Sequence, residues 1–327
     1  HHRDMDVAKL EQRLVDQTKR VDPTGVGAVV HAARVATEHG AGVSSEEATK
    51  ALILAVKSLA AHEGGLDIEA LSKSLTSMVA DTTRQMTEVR SVISEGQFTT
   101  VFQPVVRLRD GAPHHFEALT RFDKTDLSVS PFKFIRLAED VGLVAEFDLA
   151  TCRRALEHLV GEVRTPSALP IAVNLSGRSL NSDEFTDSLS ELLTEFEAVR
   201  RKLLIEITET VRLKDFGKAR NYVESLRSRG HKVCLDDFGA GEAQIDYLKE
   251  LNVDFVKIDG SYIQAAQKDP TNKVLLKAIT GMCREMKVAT IAEMIEDQSM
   301  VPFLKDCGVL LGQGYLYGKP QPEPTIA

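Results

Sequence analysis

The stretch from His231 to Gly260 constrains the fold more than any other part of the sequence. It has the pattern of a strand, a polar loop, a helix and a second strand. Val233–Leu235 is a short apolar run without alternation, which is typical of a strand buried on both faces. Asp236 and Asp237 follow this strand, and Lys257 lies near the end of the next one. The stretch therefore predicts a βαβ unit with charged side chains at one edge of a sheet.

The adjacent carboxylates of Asp236 and Asp237 indicate a divalent cation. Neighbouring carboxylates repel each other, and a cation beside them keeps both ionised at neutral pH. Mg²⁺ and Mn²⁺ prefer oxygen ligands, and the sequence offers no CxxC spacing for a structural zinc site. The alternative is that Asp236 caps the following helix while Asp237 is solvated. The ends of the other strands decide between these interpretations.

Short apolar strands that end on polar residues recur along the chain after Gly96. The first two, Val101–Arg107 and His114–Phe122, flank a turn at Asp110 and Gly111 and are predicted to form an antiparallel hairpin. Helices separate the remaining six, which are predicted at Ile171–Leu175, Leu203–Thr208, Val233–Leu235, Val253–Ile258, Val288–Ala292 and Gly308–Leu311. Eight strands over about 230 residues predict an α/β fold, a modified (β/α)₈ TIM barrel with its first strand antiparallel.

In such a barrel the carboxyl ends of the strands build one site. The polar residues at these ends are Glu117, Asn174, Glu206, Asp236, Asp237, Lys257, Glu293 and Gln313. Each one alone is more often a cap or a solvated group, but their recurrence on consecutive strands favours a shared site. Carboxylates with an amide suit a pair of divalent cations, which would activate a water for in-line attack on a phosphodiester. Lys257 would orient that water, and Arg121 would be available to a substrate phosphate.

Residues 1–95 are predicted to form a separate, mainly helical region with one strand-like run at Gly25–Val35. A helix that begins near Asp67 carries a nearly heptad-spaced seam. Its members are Ile68, Leu71, Leu75, Met78, Thr82, Met86, Val89 and Ile93. Two interpretations stay open: a signalling helix that pairs two subunits, or a helix packed on its own domain. His1 and His2 are typical of an affinity tag.

Composition narrows the partners and the compartment. A net charge of -8 disfavours binding to a DNA or RNA polymer. The four cysteines lack any CxxC spacing, so we expect buried thiols in a reducing compartment, the cytoplasm. No apolar run approaches the roughly 20 residues of a membrane span.

Seven motifs, in order along the chain, resemble the EAL-domain family. They are FEALTRF at Phe116–Phe122, VNLS at Val173–Ser176, EITET at Glu206–Thr210, LDDFGAG, KIDGSYI, AEMIE at Ala292–Glu296 and GQGYLYGKP. The resemblance implies that residues 96–327 form a phosphodiesterase domain that hydrolyses cyclic di-GMP to linear pGpG with two Mg²⁺ or Mn²⁺ ions. It also implies a homodimer, and for residues 1–95 a degenerate remnant of a cyclase-like domain, although no residue there supports cyclase chemistry.

The resemblance further implies a role for each matching residue. The expected metal ligands are Glu117, Asn174, Glu206, Asp236 and Asp237, with Glu293 as a further ligand or the general base. Lys257 is expected to hold the nucleophilic water, and Gln313 to support the metal and water shell. Gln103 and Arg121 are expected to contact substrate. Glu209 and Glu296 are expected to support the site, Glu209 by anchoring the loop after Asp237.

Three departures from the family pattern bear on activity. Ala240, Glu242, Ala243 and Gln244 alter the loop after Phe238, where the family has FGTGYSS. Met294 replaces a usual glycine beside Glu293, and Arg136 replaces a usual proline. These departures leave an alternative open: a receptor that binds cyclic di-GMP without efficient hydrolysis and signals through the N-terminal helices.

Overall fold

The structure is a computed structural model that describes residues 68–122, 130–162, 169–208, 216–239 and 248–325, together with Ile53. For residues 68–78 and Phe216 only the backbone is described. The chain divides into two units, His1–Arg90 and Ser91–Ala327. The predicted strand-like run at Gly25–Val35 lies outside the described residues.

Eight strands close a barrel in which every strand is hydrogen-bonded to its neighbours in chain order. The strands are β1 (Phe98–Arg107), β2 (Pro113–Phe122), β3 (Ile171–Ser176), β4 (Leu203–Thr208), β5 (Lys232–Phe238), β6 (Phe255–Ile258), β7 (Ala289–Ala292) and β8 (Leu311–Gln313). β1 runs antiparallel to both β2 and β8, and the other neighbouring pairs are parallel. This confirms the predicted TIM barrel with an antiparallel first strand.

The helices that follow β2 along the chain cover the outside of the barrel. The α-helices whose bounds fall within the described residues are, in chain order, α1 (Ile68–Ser94), α2 (Pro131–Asp140), α3 (Val144–Glu162), α4 (Asp183–Glu195), α5 (Phe216–Ser228), α6 (Gly260–Lys268), α7 (Pro270–Glu285) and α8 (Met300–Asp306). Apolar side chains between the strands and helices α3–α8 form the main core, which includes the buried Cys152, Cys283 and Cys307. All four cysteines of the chain are free and buried, as predicted.

A second, smaller apolar layer fills the barrel interior. Its buried members are Val105, Ala172, Leu204, Cys234, Phe255, Ile291 and Leu311, each on a different strand. On β2 the residue that pairs with Val105 is His115, which is fully buried. We call these eight side chains the lower layer. Because residues two apart on a strand face the same side of the sheet, the residues two positions further along each strand also point into the barrel.

Several element boundaries differ from the sequence prediction: β1 begins at Phe98 instead of Val101, and β6 begins at Phe255 instead of Val253. β8 was predicted at Gly308–Leu311 and instead spans Leu311–Gln313, because Gly308 (φ +83°) turns the chain away from α8 and Leu310 remains exposed. The short helix α6 was not predicted, because it opens on a glycine. Its start is set by Asp259, whose side chain accepts a hydrogen bond from the backbone N–H of Ser261.

The long seam helix predicted near Asp67 is confirmed as α1. Of its described side chains, Val79, Met86, Val89 and Val92 are buried, so the buried stripe ends one residue before the predicted Ile93. Pairing of two subunits through this helix stays a prediction. Among the described residues, no helix combines the length and apolar character that crossing a bilayer requires.

Gly314 follows the last strand at a position where no side chain fits. A Cβ there would lie 2.1 Å from the carbonyl oxygen of Ile295 and 2.3 Å from its nitrogen. Since these are backbone atoms, the clash cannot be relieved by a rotamer change. We predict that Gly314→Ala lowers the free energy of unfolding by more than about 2 kcal/mol, measured by circular dichroism in urea.

Gly281 provides the matched control, because it lies inside α7 with open space around the position of a Cβ. Gly281→Ala should leave stability unchanged or raise it by about 0.5–1 kcal/mol. Equal stability of the Gly314→Ala and Gly281→Ala variants would contradict the close packing of Gly314.

Candidate metal centre

A polar layer lies directly above the lower layer. Its members are Gln103, Glu117, Asn174, Glu206, Asp236, Lys257, Glu293 and Gln313, each two residues along its own chain from a member of the lower layer. Seven of them belong to strands, and Glu293 follows β7 directly. The apolar layer below closes the barrel from that side. The polar groups therefore meet in a space whose lower side is closed by apolar side chains.

Glu117 does not end its strand, contrary to the sequence prediction. The β1–β2 hairpin extends beyond the closed barrel, since Phe98 pairs with Phe122. β2 pairs with β3 only as far as Ala118 and Val173. Glu117 therefore lies in mid-strand, but at the level where the parallel pairing with β3 ends.

The ammonium group of Lys257 lies among four carboxylates. Its Nζ is 2.9 Å from Glu293 Oε1, 3.1 Å from Glu206 Oε2, and 3.3 Å from both Glu117 Oε2 and Asp236 Oδ1. Lys257 is 1% exposed. Burial alone would lower the pKa of Lys257, but the four carboxylates raise it well above its usual value, so the lysine stays protonated.

Amide side chains hold Glu117 from the other side. Asn174 Nδ2 donates to Glu117 Oε1 at 2.7 Å, and Gln313 Nε2 donates to Glu117 Oε2 at 2.6 Å. Gln313 Nε2 also lies 3.3 Å from Gln103 Oε1, and Gln103 donates to the carbonyl of Gly318. These bonds and Lys257 oppose the effect of burial and lower the pKa of Glu117, which is therefore ionised.

Asp237 extends the acidic cluster beyond Asp236. Its backbone adopts a left-handed conformation (φ +56°), and its N–H donates to Asp236 Oδ1 at 2.9 Å. Ligand atoms of Asp236, Asp237 and Glu293 lie within 4.8 Å of one another, and so do those of Glu117, Glu206 and Asp236. Asp236 belongs to both groups, as a ligand shared by two cations would.

The remaining carboxylates have too little positive charge nearby. Burial, together with neighbouring carboxylates, raises the pKa of Glu206 well above its usual value, that of Glu293 to about 7 and that of Asp237 to about 6. Burial also raises the pKa of Asp236. Five carboxylates around the one ammonium of Lys257 leave four negative charges in excess when all are ionised, which matches two divalent cations.

Buried oxygen atoms without a hydrogen-bond donor also suit divalent cations. Oε1 of Glu206, Oδ1 of Asn174 and Oε1 of Gln313 are buried without a hydrogen-bond partner, whereas Oε2 of Glu206 pairs with Lys257 at 3.1 Å. Carboxylate and amide oxygens are the ligands that Mg²⁺ and Mn²⁺ prefer. The residues present therefore fit a divalent metal centre, and no nitrogen or sulfur ligand is needed.

Other residues singled out in the sequence lie around this centre. Arg121 is half-buried, donates to the carbonyl of Thr120, and lines a pocket of about 120 Å³ together with Asn174. No hydrogen bond joins Arg121 to the described carboxylates of the cluster. Glu296 is exposed. Glu209 lies outside the described residues, as does most of the loop after Phe238.

A buried carboxylate pair beside the pocket was missed in the sequence. Asp148 Oδ2 accepts hydrogen bonds from the Ser176 N–H at 2.8 Å and the Ser179 hydroxyl at 2.6 Å, and Glu139 Oε1 accepts from the Ser176 hydroxyl at 2.7 Å. Burial raises the pKa of Asp148 to about 7. The pair fixes the end of β3, two residues after Asn174. Both acids lie on predicted helices, where nothing distinguished them from solvated residues.

Met294 and Gly260 form a close contact next to Glu293. Met294 has a left-handed backbone (φ +55°) and is half exposed. Its Cβ, Cγ and Sδ all lie 2.5 Å from the position of a Cβ on Gly260. Gly260 therefore leaves the room that the Met294 side chain occupies, and the departure from glycine at 294 is accommodated within this fold.

The fold and these side chains define the class of protein: an eight-stranded barrel with an acidic, oxygen-rich centre at the end of its strands. Residues 86–320 match the family model described as the EAL domain, and the chain belongs to the EAL domain family.

Proteins that resemble this chain include two named as phosphodiesterases. The cyclic di-GMP phosphodiesterase PdeB of Shewanella oneidensis is 30% identical over 236 residues, which cover 72% of this chain and 28% of that protein. The probable cyclic di-GMP phosphodiesterase PdeB of Escherichia coli is 32% identical over 223 residues, covering 68% of this chain and 42% of that protein. The chain thus spans less than half the length of these relatives.

Among solved structures, the chain resembles that of the EAL enzyme Bd1971 with cAMP and cyclic di-GMP bound. The TM-score is 0.67 at 25% sequence identity, and the match covers 81% of this chain and 76% of that one.

The raised pKa values predict how the stability of the metal-free protein depends on pH. In the folded state Glu293 titrates near 7 and Asp237 near 6, above their ordinary values of 4.5 and 3.8. Between about pH 4 and pH 7 the folded protein therefore binds more protons than the unfolded chain. Stability should be highest at the acidic end of this window and fall as pH rises, by at most about 3 kcal/mol from Glu293.

Urea denaturation at several pH values, in the absence and presence of about 5 mM Mn²⁺, measures this change in stability. Asp148 titrates in the same range but contacts none of the cluster, so the part of the slope that Mn²⁺ removes belongs to the metal centre. Glu293→Gln should reduce that part. A slope unaffected by both the cation and the substitution would contradict the assignment.

Proposed function

We propose that the barrel is a metal-dependent phosphodiesterase that hydrolyses cyclic di-GMP to linear pGpG. The observation that supports this most is the cluster of carboxylates around the buried Lys257, which suits two divalent cations and one activated water. We choose cyclic di-GMP as the substrate because relatives are named as phosphodiesterases of this compound. Cyclic di-GMP is anionic and the chain has a net charge of -8, so bound cations would help to attract it.

The proposed metal ligands are Glu117, Asn174, Glu206, Asp236, Asp237 and Glu293, and the proposed ions are Mg²⁺ or Mn²⁺. When bound, such ions lower the pKa of a water molecule and neutralise charge on the phosphodiester. A divalent ion restores the ionised form of Glu206 and Asp236, whose pKa values are raised in its absence.

Lys257 orients the attacking water in this proposal. It is held by four carboxylates and remains protonated, so it donates hydrogen bonds and offsets negative charge on the phosphorane-like transition state. Glu293 is the proposed general base or a further ligand, since its pKa of about 7 in the metal-free protein suits proton transfer near neutral pH.

The amide and guanidinium groups at the edge of the site bind substrate in this proposal. Gln313 donates to both Gln103 and Glu117, so these amides link the substrate to a proposed metal ligand. Arg121 lines the pocket beside Asn174 and would pair with a phosphate. Glu209 is proposed to anchor the loop after Asp237. A homodimer and a cytoplasmic setting complete the proposal.

A cyclic di-GMP receptor without efficient hydrolysis is the second candidate. The observation that favours it is Met294, whose left-handed backbone and close contact with Gly260 restrict the segment that holds Glu293. In this case binding would be retained while the base or ligand is held away from its productive position, and the signal would pass through the N-terminal helices.

One assay separates the two candidates. The purified chain is incubated with cyclic di-GMP and Mg²⁺ or Mn²⁺, and pGpG is measured by chromatography. We expect pGpG, and we expect Glu117→Gln and Asp236→Asn to abolish it, with Asp183→Asn, an exposed carboxylate on α4, as the control. Binding without product would favour the receptor, and full turnover by either site variant would contradict the assigned roles.

Lys257→Met tests the role of the ammonium group. The substitution keeps the length of the side chain but removes the charge and the donors, so we expect kcat to fall by roughly 10²–10⁴. Binding of cyclic di-GMP, measured by calorimetry in the presence of Ca²⁺, should change much less. A variant that retains kcat would contradict the proposed part of Lys257 in orienting the water.

A further inference from the structure

His115 is the polar exception in the lower layer. The other seven described members of that layer are apolar, and His115 is fully buried among them, directly beneath Glu117 on β2. Its ring packs against Phe255 with centroids 6.1 Å apart and against His114 with centroids 5.0 Å apart. Packing alone does not require a nitrogen heterocycle here, because its neighbours on the adjacent strands are aliphatic or aromatic.

Both nitrogen atoms of His115 face specific groups. Nδ1 lies 2.7 Å from Nδ1 of His114. Nε2 is buried without a hydrogen-bond partner and lies 4.0 Å from Oε1 of Glu206, an oxygen that also lacks a hydrogen-bond partner. The nearest unsatisfied groups on the two side chains are therefore opposite each other.

The contact between the two imidazoles fixes the tautomer of His115. The two Nδ1 atoms are close enough for a hydrogen bond, so one ring donates an N–H there and the other accepts, and a neutral imidazole carries one N–H in all. If His115 used its N–H toward His114, its Nε2 lone pair would face the Glu206 carboxylate. If His114 donates instead, His115 carries Nε2–H toward that carboxylate. Only the second arrangement avoids placing a lone pair against an anion.

Glu206 is then held at both of its oxygens. Lys257 Nζ is 3.1 Å from Oε2, and His115 Nε2 is on the side of Oε1. The 4.0 Å separation exceeds a hydrogen bond by about 1 Å, so a donated hydrogen bond requires the Glu206 carboxylate to rotate toward His115. A partner that fixes the orientation of a ligating carboxylate typically changes metal affinity by 10- to 100-fold.

We infer that His115 is a positioning residue, which directs its Nε2–H from the lower layer to Oε1 of Glu206 and thereby orients this carboxylate toward a divalent cation. The inference rests on the proposed function, since it concerns the same metal centre. His115 lies outside the family motifs, since it directly precedes the first of them, so the motifs do not assign it this contact with Glu206.

The tautomer can be measured without metal or substrate. Two-bond ¹⁵N–¹H correlation spectra of the ¹⁵N-histidine-labelled full chain distinguish the two neutral forms, and the His115→Gln variant assigns the signal. We expect His115 as the Nε2–H tautomer with its Nδ1 accepting a hydrogen bond. The Nδ1–H tautomer, whose Nε2 carries no hydrogen, would overturn the inference.

Metal affinity tests the consequence for Glu206. By calorimetry with Mn²⁺ alone, His115→Leu, which suits the apolar layer but has no donor, should bind roughly 10- to 100-fold more weakly. His115→Gln, which keeps an N–H at similar reach, should bind within about threefold of the parent. Cys234→Ala is the matched control, since Cys234 lies in the same layer and precedes Asp236 as His115 precedes Glu117.

The outcomes distinguish this inference from the proposed function. Equal Mn²⁺ affinity of the parent and His115→Leu, or equal loss in Cys234→Ala and His115→Leu, would overturn the positioning role while leaving the metal centre intact. A parent protein that binds no Mn²⁺ would instead contradict the proposed function. If His115→Leu fails to fold, the tautomer and the His115→Gln affinity still decide the inference.

Discussion

The interaction on which the site depends is that between the ammonium of Lys257 and the carboxylates of Glu117, Glu206, Asp236 and Glu293. These residues come from five different strands or strand ends, so the ion cluster forms only when the barrel closes. A single positive charge cannot compensate this number of buried negative charges, and the pKa values of several of them are raised in consequence. The fold therefore builds a site with unmet negative charge, which divalent cations would neutralise.

The barrel interior explains why this arrangement is stable. The lower layer excludes water from one end, and the polar layer above it uses amide groups of Asn174 and Gln313 to hold Glu117 in its ionised form. Asp148 and Glu139 act outside the barrel wall, where they fix the backbone at the end of β3. The geometry of the centre thus depends both on amides that contact a proposed ligand and on carboxylates outside the barrel wall that do not.

The sequence predicted the architecture well because the strands have clear apolar runs and the closed barrel follows from their number and spacing. The hairpin of β1 and β2 was predicted from Asp110 and Gly111, and the structure confirms it. The sequence missed α6 because Gly260 opens it, and Gly260 is explained only by the distant side chain of Met294. It also missed His115, although the period-two alternation from Glu117 placed this residue inside the barrel.

The central claim is that Asn174, Glu206 and Asp236, which are far apart in the sequence, surround the same pair of cations. Anomalous X-ray diffraction from a crystal soaked in Mn²⁺ tests it most directly. The account predicts two manganese peaks, one within coordination distance of Glu206 and both within that distance of Asp236. Manganese bound elsewhere, with these three side chains making no contact to it, would contradict the account.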